Sequence, residues 1–189
     1  MNRTKLLELL NDGPVIAAVK DEVGLNTALQ SDVSVIFLLY GDILTLADTV
    51  SRVHTAGKAV FVHLDLVDGL APREISADFV ARNTAADGII STKASLTKRG
   101  RELGLVAIQR FFLLDSMALN NIERHLSGDS SDLIEILPGL MPKIIRRVAE
   151  AAGKPVIAGG LISDKEDVIG ALGAGAAAVS TTNSAVWAM

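Results

Sequence analysis

The chain has 189 residues, 49% of them hydrophobic, which is enough to bury a full core as one domain. A formal net charge of −4 excludes a protein that coats nucleic acid over its whole surface, while leaving room for a local basic patch. The absence of cysteine excludes a disulfide framework, a thiolate nucleophile and a cysteine metal site. No apolar run reaches the ~18 residues of a membrane helix, and a cytoplasmic location is expected.

The first ten residues, Met1-Asn-Arg-Thr-Lys-Leu-Leu-Glu-Leu-Leu10, carry charges inside the apolar stretch and predict an amphipathic helix rather than a signal peptide. After them the chain repeats one pattern. Apolar, β-rich runs fall at 14–19, 33–40, 59–65, 88–92, 105–112, 133–137, 155–158 and 176–180. Helical spacing fills the gaps, for example Leu46/Val50/Val53, Leu96/Leu103 and Ile144/Ile145/Val148. Gly57, Gly104, Gly153 and Gly173 or Gly175 stand where those helices should end. Asp115-Ser116 and Ser163-Asp164 supply capping oxygens where two of them start.

Strand alternating with helix and no long linker predicts one domain over 1–189, a compact parallel (β/α)8 barrel of the TIM type with short loops. An open doubly wound sheet is the alternative, because such barrels typically need ~200–250 residues. Eight runs favour the barrel. Its last helix, from Asn183, is truncated, which leaves Trp187 either packed on the N-terminal helix at 4–10 or in a subunit contact of a homo-oligomer.

The C-terminal strand ends form the working face of such a barrel. There the chain ends in Pro155-Val-Ile-Ala-Gly-Gly-Leu-Ile-Ser163 and Gly175-Ala-Ala-Ala-Val-Ser-Thr-Thr-Asn183, exposing backbone N–H groups and hydroxyls at one rim. These are the donors a phosphate monoester needs, so Gly159, Gly160, Ser180 and Thr181 are the predicted phosphate site. A period of two places His63 and Asp65 on one strand face, and Glu135 stands alone between Ile134 and Ile136. His63 is either a satisfied buried imidazole or a ligand contact. Asp65 and Glu135 either hold ligand hydroxyls or pair with Lys93 and Arg110 as an internal ion network. His54 and His125 read as surface residues of helices. No zinc spacing or Ser–His–Asp order stands out, and no cofactor or metal is expected.

The residues also resemble a known family. The segments Gly13-Pro-Val-Ile-Ala-Ala-Val-Lys20, His63-Leu-Asp-Leu-Val-Asp-Gly-Leu70, Asp87-Gly-Ile-Ile-Ser-Thr-Lys93, Gln109-Arg-Phe-Phe-Leu-Leu-Asp-Ser116 and Glu135-Ile-Leu-Pro-Gly139, with both terminal runs, resemble the glycerol-3-phosphate-responsive antiterminators of bacterial glycerol-uptake operons. The likeness covers nearly the whole length. It implies a cytoplasmic regulator that binds glycerol 3-phosphate and acts on a leader messenger RNA to prevent early transcription termination. The phosphate would sit on Gly159, Gly160, Ser180 and Thr181, with His63, Asp65, Lys93, Arg110 and Glu135 supplying hydroxyl contacts and charge. For RNA, the basic cluster Lys98, Arg99 and Arg101 is the expected surface, although such clusters are usually solvated faces. The other reading is an enzyme on a small phosphorylated metabolite: a lyase, an isomerase or a glycerol-phosphate transferase.

Overall fold

The structure, a computed structural model, describes residues 1–126 and 130–189. Eight strands close into one parallel barrel in chain order. They are β1 Val15–Val19, β2 Val35–Leu38, β3 Ala59–His63, β4 Gly88–Ser91, β5 Val106–Phe112, β6 Leu133–Leu137, β7 Val156–Gly159 and β8 Ala178–Thr181. Helix α1, Arg3–Asp12, precedes them. The outer helices are α2 Glu22–Gln30, α3 Leu46–Thr55, α4 Ile75–Asn83, α5 Ala94–Glu102, α6 Ser116–Leu126, α7 Pro142–Ala152 and α8 Lys165–Gly173, and the chain ends in the short α9, Ser184–Trp187. The open-sheet alternative falls, because β1 pairs with β8 through Ile16 and Ser180.

Local chemistry sets the element ends. Asn2, Asp21 and Asp164 each cap a helix by accepting a backbone N–H, and Gly153 closes α7 in the left-handed region at φ 57°. At the later helix end the left-handed position is Gly175, at φ 99°, rather than Gly173. α1 closes the N-terminal end of the barrel: Leu6 and Leu10 pack with Ile16, Val35, Phe61 and Leu133 of the interior.

Alternation of side chains along each strand builds the interior in layers. On β3 the inward residues are Ala59, Phe61 and His63; on β5 they are Val106, Ile108 and Arg110. Deep in the barrel the layers are apolar, with the Phe37 and Phe61 rings edge to face at 5.7 Å. Toward the C-terminal mouth they turn polar, with His63, Arg110, Glu135 and Ser180 all buried. β1 and β7 contribute only Ala18 and Gly159 at that level, and these small residues leave the mouth open.

Several expectations are corrected. The third run ends as a strand at His63, and Asp65 lies in a 3-10 turn, Leu64–Leu66, so the two do not share a strand face. The loops are not all short: 64–74 link β3 to α4, and this segment pairs with the loop after β2 through Asp68 N–H to Gly41 O at 2.8 Å. Trp187 neither packs on α1 nor lies open for a subunit contact. It is 4% exposed in the shell cluster that also holds Val19 and Leu25, and its indole N–H donates to Thr181 O at 2.9 Å. His54 is half-buried, its Nε2 2.9 Å from Asp87 Oδ2, rather than a plain surface residue. The side chain of His125 lies outside the described residues.

Candidate functional site

The two terminal runs do lie side by side: Ile157, Ala158 and Gly159 of β7 are level with Ala178, Val179 and Ser180 of β8. Their loops are stitched together. The Thr181 hydroxyl donates to Ile162 O at 2.7 Å and accepts Asn183 N–H at 3.1 Å, while Asn183 Nδ2 donates to Ser163 O at 2.8 Å. Ser163 uses both its N–H and its hydroxyl on Asp167 Oδ2, each at 2.8 Å. Gly160, at φ 74°, and Leu161, at φ 63°, turn the chain through the left-handed region. For Leu161 that conformation costs roughly 1–2 kcal/mol, and its side chain stands 71% exposed.

Over this corner opens a cavity of ≈ 400 Å³. Gly160, Ser163, Ser180 and Thr182 border it, Arg110 and Glu135 form its polar floor, and Ala18, Leu39, Leu137 and Leu161 its apolar wall. The floor is a buried network. Arg110 Nε donates to Glu135 Oε2 at 2.6 Å and the Ser180 hydroxyl to Glu135 Oε1 at 2.5 Å. Arg110 is 7% exposed and Glu135 fully buried. Only Nε of the guanidinium is spent on protein, so among the described residues the N–H groups of both Nη atoms remain for the cavity that Arg110 lines.

Two hydroxyls of the predicted phosphate site are engaged within the protein. A phosphate monoester is largely dianionic at neutral pH and only accepts hydrogen bonds. The Ser180 hydroxyl donates its hydrogen bond to Glu135 and the Thr181 hydroxyl to Ile162 O. Thr182, exposed on the cavity wall, has a hydroxyl with no protein partner among the described residues. The sequence does not tell which hydroxyl of the Ser-Thr-Thr run is engaged within the protein. Packing by itself requires a glycine at 159: a Cβ there would stand 2.5 Å from Ser180 Oγ and 2.7 Å from Glu135 Oε1.

Glu135 takes part in the ion network of the alternative reading, one oxygen accepting from Arg110 and the other from Ser180. Asp65 organises the loop after β4. It accepts Thr92 N–H at 2.7 Å and the hydroxyls of Ser91 and Thr92 at 3.1 Å. Lys93 Nζ is 3.8 Å from Asp65 Oδ1, and Lys93 is nearly half-exposed.

His63 is not a satisfied imidazole: its Nδ1 is buried without a hydrogen-bond partner. Burial, then the nearby Arg110 charge, push its pKa down to about 4 against a partial opposing pull from Asp65. A histidine held neutral in the folded state lowers stability where the unfolded chain takes up the proton. Stability should therefore fall as pH drops from 6.5 towards 4, with a slope of up to about 1.4 kcal/mol per pH unit from this residue. Urea unfolding of the wild type and of His63→Gln over that window checks this; the difference in slope should vanish above pH 7.

The basic cluster on α5 is not an open cationic surface. Arg99 grips Asp78 through Nε at 3.1 Å and Nη2 at 2.7 Å and reaches Glu102 at 3.1 Å. Arg101 Nε bonds Asp132 at 3.0 Å. Lys98 is the exposed cation of the three. The spacing of the cluster and Glu102 on the same helix were legible, but the other neutralising acids, Asp78 and Asp132, come from α4 and from the approach to β6. No group of three or more metal-ligating side chains, and no helix long and apolar enough to cross a membrane, is present among the described residues.

Comparison with known proteins shows the family and agrees with the barrel fold. The family described as glycerol-3-phosphate responsive antiterminator matches residues 15–187. The uncharacterised protein YgcP of Escherichia coli (strain K12) is 46% identical over 184 residues, spanning 97% of this chain and 96% of its own. The crystal structure of a glycerol uptake operon antiterminator regulatory protein from Listeria monocytogenes superimposes with a TM-score of 0.89 at 32% identity, over 93% of this chain and 95% of that one. An antiterminator-related protein from Thermotoga maritima does so with a TM-score of 0.80 at 34% identity, over 93% and 98%. A deoxyribose phosphate aldolase from Aeropyrum pernix, at 15% identity and a TM-score of 0.70 over 99% of this chain and 97% of its own, shares the fold alone.

Proposed function

Because the chain belongs to the family of glycerol-3-phosphate responsive antiterminators, we propose that it is a regulator that binds glycerol 3-phosphate at the barrel mouth and then acts on the leader messenger RNA of glycerol-utilisation genes. The observation that carries the ligand half is the free face of Arg110. With its Nε held by Glu135, its Nη donors, the Thr182 hydroxyl and the Gly160 turn lie around one cavity. A planar cationic fork suits a phosphate, and hydrogen bonds to a charged group contribute about 1.5–3 kcal/mol each. A few of them support micromolar binding, which corresponds to about −8.2 kcal/mol.

For the RNA half the family description is the support. α5 offers little free charge, so leader binding through Lys98, Arg99 and Arg101 would require Arg99 and Arg101 to leave their carboxylates. The ligand switches RNA binding only if it binds the RNA-competent state more tightly than the other. An enzymatic reading has less behind it. A Schiff-base lysine is activated by desolvation or a neighbouring cation, whereas Lys93 is 47% exposed beside a carboxylate.

Thr182→Asp adds a negative charge to the cavity without the backbone strain of a substitution at Gly160. Glycerol 3-phosphate should then no longer raise the thermal midpoint, while wild type gains several degrees; an unchanged gain would remove the phosphate from this corner. Purified protein with labelled leader RNA, with and without glycerol 3-phosphate, tests the regulator as a whole. Ligand-dependent RNA retention supports it. Turnover of the ligand would support an enzyme, and ligand binding without RNA retention a sensor working through a protein partner.

A further inference from the structure

Two stretches of the chain carry three cations within five residues: 98–101 on α5 and 143–147 on α7. On α5 two of the three are bound to carboxylates of other segments, Arg99 to Asp78 and Arg101 to Asp132. On α7 the balance is different. Lys143, Arg146 and Arg147 are all exposed, and Lys143 and Arg146 make no ion pair with any described residue. The helix holds one acid, Glu150, a turn beyond Arg146. Helix stability does not account for this placement. Lys143 stands in the first turn, where the helix dipole disfavours a cation, and no acid in that turn offsets it. Packing does not account for it either, because α7 holds the barrel through Ile145, Val148 and Ala152, which are buried with Val156 and Ala171. The loop that leads into α7 is bonded to the turn beside the mouth cavity, Gly139 N–H donating to Gly160 O at 3.0 Å.

Resting on the regulator reading above, we infer that the outward face of α7, with Lys143 and Arg146 at its centre, is the surface that takes the phosphate backbone of the RNA. The chemistry favours a nucleic acid over a protein. A protein interface has a core depleted of charge and rich in large apolar side chains, and none of the exposed large hydrophobic residues lies on α7. A lipid surface would ask for such residues as well. A phosphate backbone asks for cations that no acid neutralises. Lys143 and Arg146 are three residues apart on the helix, which places them on one side about 5–6 Å from each other. Arg146 also borders an open groove of ≈ 380 Å³ with Ala149, Glu150 and the small residues Gly173, Ala174 and Gly175. No long side chain from the end of α8 therefore blocks a strand that approaches Arg146.

Titration of labelled leader RNA at several salt concentrations, with glycerol 3-phosphate present, tests the surface. Lys143→Gln/Arg146→Gln should bind the RNA about tenfold or more weakly than wild type at 0.1 M salt. Its slope of log affinity against log salt should be shallower by about 1.5, the value for two lost phosphate contacts. Both positions are exposed and unpaired, so the variant should keep the wild-type thermal midpoint and the wild-type gain with glycerol 3-phosphate. Lys143→Arg/Arg146→Lys, which keeps the charge, should retain most of the affinity. Arg3→Gln/Lys5→Gln removes the same charge from α1 at the opposite end of the barrel and should bind like wild type. Wild-type affinity and slope in Lys143→Gln/Arg146→Gln would overturn the inference and leave the regulator reading standing. Equal losses in the α7 and α1 variants would also overturn it, since net charge alone would then explain them. A wild type that retains no RNA with or without glycerol 3-phosphate would remove the inference together with the regulator reading.

Discussion

Arg110→Met should lower the free energy of unfolding by about 3–5 kcal/mol and abolish ligand-induced thermal stabilisation together. The reason is the carboxylate it leaves behind. Glu135 is fully buried, and after the substitution its remaining partner is the Ser180 hydroxyl. An uncompensated charge buried there is strongly destabilising. The double variant Arg110→Met/Glu135→Leu separates the two consequences. Replacing a buried ion pair by apolar side chains of similar volume is often neutral or stabilising, so most of the lost stability should return. Ligand response should not, because the cationic fork is gone. Urea unfolding and thermal shift with glycerol 3-phosphate read the two effects. A double variant that still responds to the ligand would show that Arg110 is structural only.

Gly159→Ala is the second large effect, and it should exceed that of Gly160→Ala although the two residues are neighbours. At Gly159 the added methyl would lie 2.5 Å from Ser180 Oγ and 2.7 Å from Glu135 Oε1. Both atoms are locked in the buried network, so neither gives way cheaply, and overpacking of this kind costs about 1–3 kcal/mol. The methyl would also push apart the floor of the cavity, so ligand response should fall by tenfold or more. At Gly160 the nearest atom is Leu137 Cδ2 at 3.2 Å, the end of a flexible side chain. There the cost comes from φ 74°, about 1–2 kcal/mol for a residue with a Cβ. Urea midpoints and ligand titrations of the two variants should rank Gly159→Ala as the more damaging on both measures. The reverse order would mean that the turn, not the network beneath it, holds the site together.

The mouth at which the regulator reading places the ligand is built from parts that the chain ties separately. The β7 and β8 loops are tied by Thr181, Asn183 and Trp187. Asp65 ties the β3 turn to the loop after β4. Arg110 on β5 lies between them, bonded to β6 through Glu135. A ligand at this mouth would change presentation of a surface to RNA only by as much as its affinity for the two states differs.

Residues near in sequence determined the barrel by themselves. Eight β-rich runs, helical spacing between them and glycines such as Gly153 at helix ends are local signals, each set by period or backbone freedom within a dozen residues. The neighbourhood of the site was legible for the same reason, because topology alone sends all C-terminal strand ends to one rim. Which atoms are available there was decided only by tertiary structure. The Ser180 proton is spent on Glu135, 45 residues away, Arg99 on Asp78, 21 residues away, and the His63 nitrogen on nothing. A donor's fate depends on which acceptor another strand brings within about 3 Å, and no periodicity in one segment carries that distance.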